Sequence, residues 1–384
     1  MNFMIINHKN AKKVIQKNAC LLLIILVGIG IRIFGIKEVG ITDYDTAYYA
    51  NIAKVPIFTS DWFFTTDYED RTLESLRQYL INRGCGVSIV KPGHIFLIFI
   101  SFLIFGVTDY AIFLNSIFSS IGVIILTYLI GKKLFNKSVA LMGSALIAVS
   151  SQNIIYARTG YPQADTTLLF CILFFFVYQH FISIHRSKYF WYSSIIAGIL
   201  FLFHQSAIIA LMPLLVVMLF DFMIFKDKKK KDCVVDCIFF ISISSSIIFL
   251  SNLLINFINS LNPIEAQALS DRLLLTTVYR ALGYFGVSIE KIIFYPRMFW
   301  VLEGPLVTFL IIISLLYIAW KAYKIRSINL ITISLITIFP LLFWIINYTT
   351  LKGIQVLMPF ISICVGVFVF DCVENIKKRK TNDH

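Results

Sequence analysis

The stretch "ACLLLIILVGIGIRIFGIKEVGITDYDTAYYANIAKV", Ala19 to Val55, joins a long apolar run to a segment holding two aspartates and a tyrosine pair. The run from Ala19 to Ile36 is close to the length of about 20 apolar residues that a helix needs to cross a hydrocarbon core. A basic region precedes it, no small-residue cleavage site follows it, and Arg32 lies near its end, so it reads as an uncleaved anchor with its N-terminus inside. Asp43 and Asp45 then emerge on the outer side, and each either starts a helix or does chemistry.

The rest of the chain has the same apolar character. Of its 384 residues, 58% are hydrophobic and 14% charged, and the mean hydropathy is +0.82. Soluble domains carry about 25% charged residues, so this chain reads as a polytopic membrane protein. The net charge of +13 sits mostly in six short clusters between apolar runs: Lys9 to Lys17, Lys132 to Lys137, His185 to Lys188, Lys226 to Lys231, Lys321 to Arg326 and Lys377 to Lys380. Clusters at the ends of spans follow the positive-inside rule, so membrane lipids rather than nucleic acid are the expected partners. The seven cysteines are scattered, mostly in apolar runs. Cys233 and Cys237 are one helical turn apart with no histidine near them, which suits buried thiols better than zinc.

After the first run, suitable spans are Tyr110 to Gly131, Ser138 to Tyr156, Thr166 to Ile184, Tyr189 to Phe203, Ala207 to Phe225, Cys233 to Phe257, Phe299 to Trp320, Ile328 to Asn347 and Ile354 to Asp371. The predicted fold is an all-α transmembrane bundle of about ten spans with both termini inside. All six basic clusters then fall inside. His94 to Val107 is apolar but about 14 residues long, which predicts partial insertion rather than a crossing. The polar "HQS", His204 to Ser206, marks a tight turn between two short helices. The expected layout is one membrane domain over 1–384: first span 19–36, outer loop 37–93, core spans 94–257, second outer loop 258–298, last spans 299–371 and basic tail 372–384. The first outer loop holds eight of the 21 acidic residues and the aromatics Trp62, Phe63, Phe64 and Tyr68, which predicts interfacial helices.

Candidate chemistry gathers at the outer boundaries. Thr42 or Asp43 can cap a helix running to about Val55, with Asp45 in its first turn complementing the helix dipole. "VKPGH", Val90 to His94, places Lys91 where the chain re-enters the membrane, at a depth that suits a phosphate. "YARTGYPQADTTLL", Tyr156 to Leu169, carries Arg158 and Asp165, which can equally snorkel and cap a helix. "YPRMFWVLEGP", Tyr295 to Pro305, combines Arg297 with Glu303, an acid just inside the apolar zone where ionisable groups suggest function.

Taken in order, "DTAYYA", "KPGH", "GKKLFNKSVALMGSALIAVSSQNIIYARTGYPQAD", "YPRMFWVLEG" and "LKGIQVLMPF" resemble the GT-C superfamily of integral-membrane glycosyltransferases. The likeness is nearest to the branch of protein O-mannosyltransferases and bacterial aminoarabinose transferases, and it covers nearly the whole chain. It implies a GT-C fold and transfer of a sugar from a polyprenyl-phosphate carrier to a lipid, glycan or protein acceptor at the outer face of the cell membrane. The family's first outer acid matches Asp45, its lysine-proline pair Lys91 and Pro92, and its second outer acid Asp165. The glutamate that often follows the first acid is Thr46 here. The lysine common in the following hairpin is absent, and His204 stands nearest to it. The arginine and tyrosine usual before the last span are missing, with Lys352 and Gln355 the nearest polar residues.

In this reading Asp45 is the base that takes the acceptor proton, and Lys91 with Arg158 or Arg297 neutralises the departing phosphate. Asp165 and Glu303 orient the acceptor, His204 binds substrate in place of the hairpin lysine, and Asp43 is a cap or secondary ligand. A divalent cation, if one takes part, falls to Asp45 or Asp165. One-step attack by an acceptor hydroxyl inverts the anomeric centre. Two other classes remain open. A polymerase or ligase of lipid-linked glycans would use outer arginines such as Arg71, Arg77, Arg83, Arg272 and Arg280, and fits the acidic first loop poorly. A transporter or flippase would need mid-span charge and internal repeats, and neither is evident.

Overall fold

A computed structural model describes residues 8–38, 40–41, 44–54, 91–179, 187–204, 230–260, 288–346 and 351–382. Every regular element among them is helical. In chain order these are α1 (His8–Ile33), α2 (Tyr44–Lys54), α3 (Pro92–Phe105), α4 (Asp109–Leu134), α5 (Lys137–Val149), α6 (Ser151–Arg158), α7 (Pro162–Val177), α8 (Ser187–Phe203), α9 (Lys230–Ser260), α10 (Ile289–Glu303), α11 (Pro305–Ile325), α12 (Ile328–Ile346), α13 (Leu351–Ile354) and α14 (Met358–Asn382). Short 3-10 turns cover Ile36–Glu38 and Gln355–Leu357.

Among the described residues four segments are long and apolar enough to cross a membrane: Asn18–Glu38, Asp109–Leu134, Pro305–Ile325 and Gln355–Thr381. The expected span Ser138 to Tyr156 is broken into two helices, α5 and α6, bent by 53°, which together are long and apolar enough to cross. Ser150 makes the break: its hydroxyl accepts from the Asn153 amide at 3.3 Å and so starts a new helix. The expected spans Thr166 to Ile184, Tyr189 to Phe203, Cys233 to Phe257 and Ile328 to Asn347 appear as α7, α8, α9 and α12, whose apolar parts run 10–17 residues. Helix α3, at 14 residues, is also short of a span. Ala207 to Phe225, most of the first outer loop and most of the second lie outside the described residues.

The broken helix explains a buried charge. Arg32 on α1 is fully buried, and its Nε donates to Ser120 Oγ at 2.8 Å. Its Nη1 donates to Ala148 O at 2.8 Å and to Gly28 O at 2.9 Å. A helix end leaves carbonyls without intrahelical partners and carries the negative pole of its dipole. Breaking the chain at Ser150 exposes such an end at Ala148, and the guanidinium satisfies it. Arg32 therefore ties α1 to α4 and to the α5–α6 bend.

Close backbone packing holds the centre. A Cβ on Gly366 would lie 2.8 Å from Val139 O, and one on Gly143 would lie 3.3 Å from Ile363 Cα, so α14 approaches α5 through small residues. Phe360 of α14 meets Phe170 and Phe174 of α7 edge-on, with ring centroids 5.6 and 5.1 Å apart. At the end of α14 nearest its basic tail, Asp371 accepts from Tyr317 at 2.7 Å and pairs with Lys321. At the opposite end, Tyr49, Ala50 and Ala53 of α2 pack on Ile95, Ile98 and Phe102 of α3 and on Ile112 and Phe113 of α4.

Candidate active site

At that end α2, the start of α3 and the α6–α7 turn converge. Asp45 lies in the first turn of α2 and is half-buried. Tyr49 follows one helical turn later on the same face. Thr46 is fully buried, and its hydroxyl donates to Thr159 O at 2.6 Å, fastening α2 to the turn. Gly160 in that turn has φ +66, and a Cβ there would lie 2.7 Å from Ile112 Cγ2 and 3.0 Å from Thr46 Cγ2. Only glycine fits both the backbone and the space. Asp43 and Thr42 lie outside the described residues, as does the capping role assigned to them.

Lys91 precedes α3 with φ 62, a left-handed conformation that non-glycine residues rarely adopt. Its ammonium donates to the Tyr49 hydroxyl at 2.5 Å. One turn on, His94 is fully buried, with Nδ1 2.6 Å from Asp165 Oδ2 and Nε2 2.9 Å from Gly160 O. Tyr49 meets its ring edge-on at 5.4 Å between centroids. Asp165, 1% exposed, also accepts from Ser119 Oγ at 2.5 Å and Asn115 Nδ2 at 3.1 Å.

The other expected residues divide. Arg158 is half-buried at the end of α6, where a Cβ on Gly35 would lie 3.9 Å from both Arg158 Nη2 and Glu38 Oε2. His204 follows Phe203, whose ring lies directly on Gly93, so the end of α8 covers the start of α3. Glu303 belongs elsewhere: it accepts from Ser150 Oγ at 2.7 Å, Gln152 N at 2.9 Å and Ser151 N at 3.0 Å. Those are the first amides of α6, so Glu303 caps that helix from α10. Arg297 is exposed on α10. Gln355 donates to Asn153 Oδ1 at 2.8 Å, on the α5–α6 side.

The cluster thus offers a half-buried carboxylate at Asp45 and an ammonium at Lys91, while the guanidinium of Arg158 lies at the end of α6 by Gly35 and Glu38. Among the described residues no three His, Cys, Asp or Glu side chains form a metal-ligand group. Asp165 does not fit a cation in this arrangement, because both of its oxygens already accept hydrogen bonds and nine-tenths and more of it is buried. Sequence reading missed His94, Tyr49, Asn115 and Ser119. His94 had a signal, as the sole titratable group in the apolar run it begins.

The main chain matches solved structures over nearly its whole length. ArnT from Cupriavidus metallidurans bound to undecaprenyl phosphate aligns with a TM-score of 0.63 at 13% identity, covering 91% of this chain and 60% of that one. The archaeal oligosaccharyltransferase AglB from Archaeoglobus fulgidus, in complex with an inhibitory peptide and a dolichol-phosphate, aligns with a TM-score of 0.55 at 14% identity, covering 96% and 52%. The chain has the GT-C fold.

Residues 90–250 also match the family model described as dolichyl-phosphate-mannose-protein mannosyltransferase. That range contains Lys91, His94, Arg158, Asp165 and His204, while Asp45 and Glu303 lie outside it. The chain spans about 60% of the length of ArnT. No curated protein matches it significantly in sequence.

Proposed function

We propose that this chain is a membrane glycosyltransferase that moves a sugar from a polyprenyl-phosphate donor to an acceptor hydroxyl at the extracytoplasmic face, with inversion. The observation that carries the reading is the meeting of Asp45, Tyr49 and Lys91 at one end of a GT-C bundle. The ArnT structure of the same fold was determined bound to undecaprenyl phosphate, which supports a lipid phosphate as the donor's leaving group. Both chain termini are cytoplasmic in this reading, following the basic clusters.

The chemistry is one displacement. The acceptor oxygen attacks the anomeric carbon, the bond from that carbon to the phosphate oxygen breaks, and Asp45 takes the acceptor proton. Lys91 neutralises the charge that develops on the departing phosphate, and Arg158, at the end of α6, is the second cation assigned to it. Fixed by Tyr49, the ammonium is held in place before that charge appears, which is where electrostatic stabilisation is most effective. Glu303 contributes by holding α6, which carries Arg158 at its other end.

Transfer from a radiolabelled polyprenyl-phosphate sugar by purified protein in lipid tests this directly. Lys91→Met is expected to raise the donor KM and lower kcat by on the order of a hundredfold together, the cost of losing one charge-stabilising group. Retention of the donor's anomeric configuration in the product, or unchanged kinetics in Lys91→Met, would overturn the mechanism.

A further inference from the structure

We propose that His94 and Asp165 form a positioning pair that fixes Lys91 for phosphate recognition, and that Asp165 holds no cation. The role given to Lys91 rests on the polyprenyl-phosphate reading above; the pair itself stands on geometry. Gly160 O can only accept, so His94 Nε2 carries a hydrogen. One proton lies between Nδ1 and Asp165 Oδ2, 2.6 Å apart, and the pair is neutral as a unit whichever atom holds it. Ser119 and Asn115 take up the remaining acceptor sites of the carboxylate. A neutral, hydrogen-bonded pair is the form in which two ionisable groups tolerate burial of 0% and 1% exposure. Among the described residues, Tyr49 of α2 and Lys91 are ionisable groups on its α2 side, while Arg32 of α1 reaches Ser120, beside Ser119.

The connection to Lys91 is short. The backbone amides of His94 and Ile95 both donate to Lys91 O, at 3.1 and 3.2 Å, so the first turn of α3 hangs from that carbonyl. The His94 ring pins the same turn to the α6–α7 turn and to α7. A left-handed lysine persists only when its surroundings over-determine it. Pro92 disfavours the right-handed helical conformation for the residue before it and pushes it toward extended backbone, so the left-handed turn at Lys91 is left to the His94 clamp to hold. The ammonium is thereby directed onto the Tyr49 hydroxyl, on the face of α2 that carries Asp45. A cation ligand, by contrast, needs an open oxygen face, which Asp165 lacks.

The test uses His94→Gln, Asp165→Asn and the double variant of the full chain, purified in lipid, with three readouts: thermal unfolding, binding of undecaprenyl phosphate, and divalent-cation dependence of transfer. Each single variant should lower the unfolding midpoint, and the double should lower it by less than the sum, because it leaves no buried charge unpartnered. The dissociation constant for undecaprenyl phosphate should rise about tenfold in His94→Gln, the effect of losing a hydrogen bond to a charged group. The cation concentration for half-maximal transfer should be the same in wild type and Asp165→Asn. Additive midpoint shifts overturn the pair. Unchanged undecaprenyl phosphate binding with a lowered midpoint overturns positioning and leaves a purely structural contact. A tenfold rise in cation requirement in Asp165→Asn overturns the exclusion of a cation. A wild-type protein that binds no undecaprenyl phosphate overturns the donor reading, and with it the role of Lys91, while the midpoint cycle still judges the pair.

Discussion

Thr46 stands where the GT-C resemblance places a second acid, and its hydroxyl is engaged by Thr159 O at 2.6 Å. Where the resemblance implies two carboxylates in succession, the described residues hold the half-buried Asp45 followed by this tether. Gly160, whose carbonyl receives His94 Nε2, makes that tether possible. Gly160→Ala is expected to lose about 1–3 kcal/mol of stability, because alanine would be strained at this positive φ and its Cβ would meet Ile112. A shift in the unfolding midpoint measures this. Asp45, Lys91 and Asp165 stand out in the sequence as candidates because short motifs carry them. The use of Asp165 was not legible there, since nothing in "VKPGH" says that residue 94 will reach residue 165. Contacts between residues 71 positions apart are set by helix packing, which local pattern does not encode.

At the scale of elements, apolar periodicity placed most helices but not their breaks. Ser138 to Tyr156 reads as one apolar run, yet Ser150 caps a second helix within it, and the break is compensated from afar by Arg32 and Glu303. Glu303 is accordingly a cap. Glu303→Ala should cost about 1–3 kcal/mol by leaving the first α6 amides unsatisfied, whereas Glu303→Gln, which can still accept, should keep most of the transfer rate. Loss of transfer in Glu303→Gln with an unchanged unfolding midpoint would return Glu303 to the chemistry. The α5–α14 contact makes a second prediction at this scale. Gly366→Leu must push α14 off Val139 O, which lies 2.8 Å from the Cβ position, and overpacking of this kind costs about 1–3 kcal/mol.

For the whole molecule, the proposed topology rests on the charge distribution. Three of the six basic clusters lie at one end of the bundle's long helices: Lys132 and Lys133 end α4, Lys324 ends α11, and Arg379 and Lys380 end α14. The Asp45–Lys91 cluster lies at the other. With the native cysteines replaced, a cysteine at Asn382 should react with a membrane-impermeant maleimide only after permeabilisation, and one at Ser288 should react in intact cells. The reverse pattern would invert the assignment of faces. The claim on which the rest depends is that Asp45 takes the acceptor proton in sugar transfer from a lipid phosphate. Its most direct test is transfer from a polyprenyl-phosphate sugar by wild type and Asp45→Asn, matched in amount and unfolding midpoint. The prediction is loss of at least about a hundredfold in kcat, the contribution of a general base, with undecaprenyl phosphate binding intact; transfer at the wild-type rate by Asp45→Asn would contradict it.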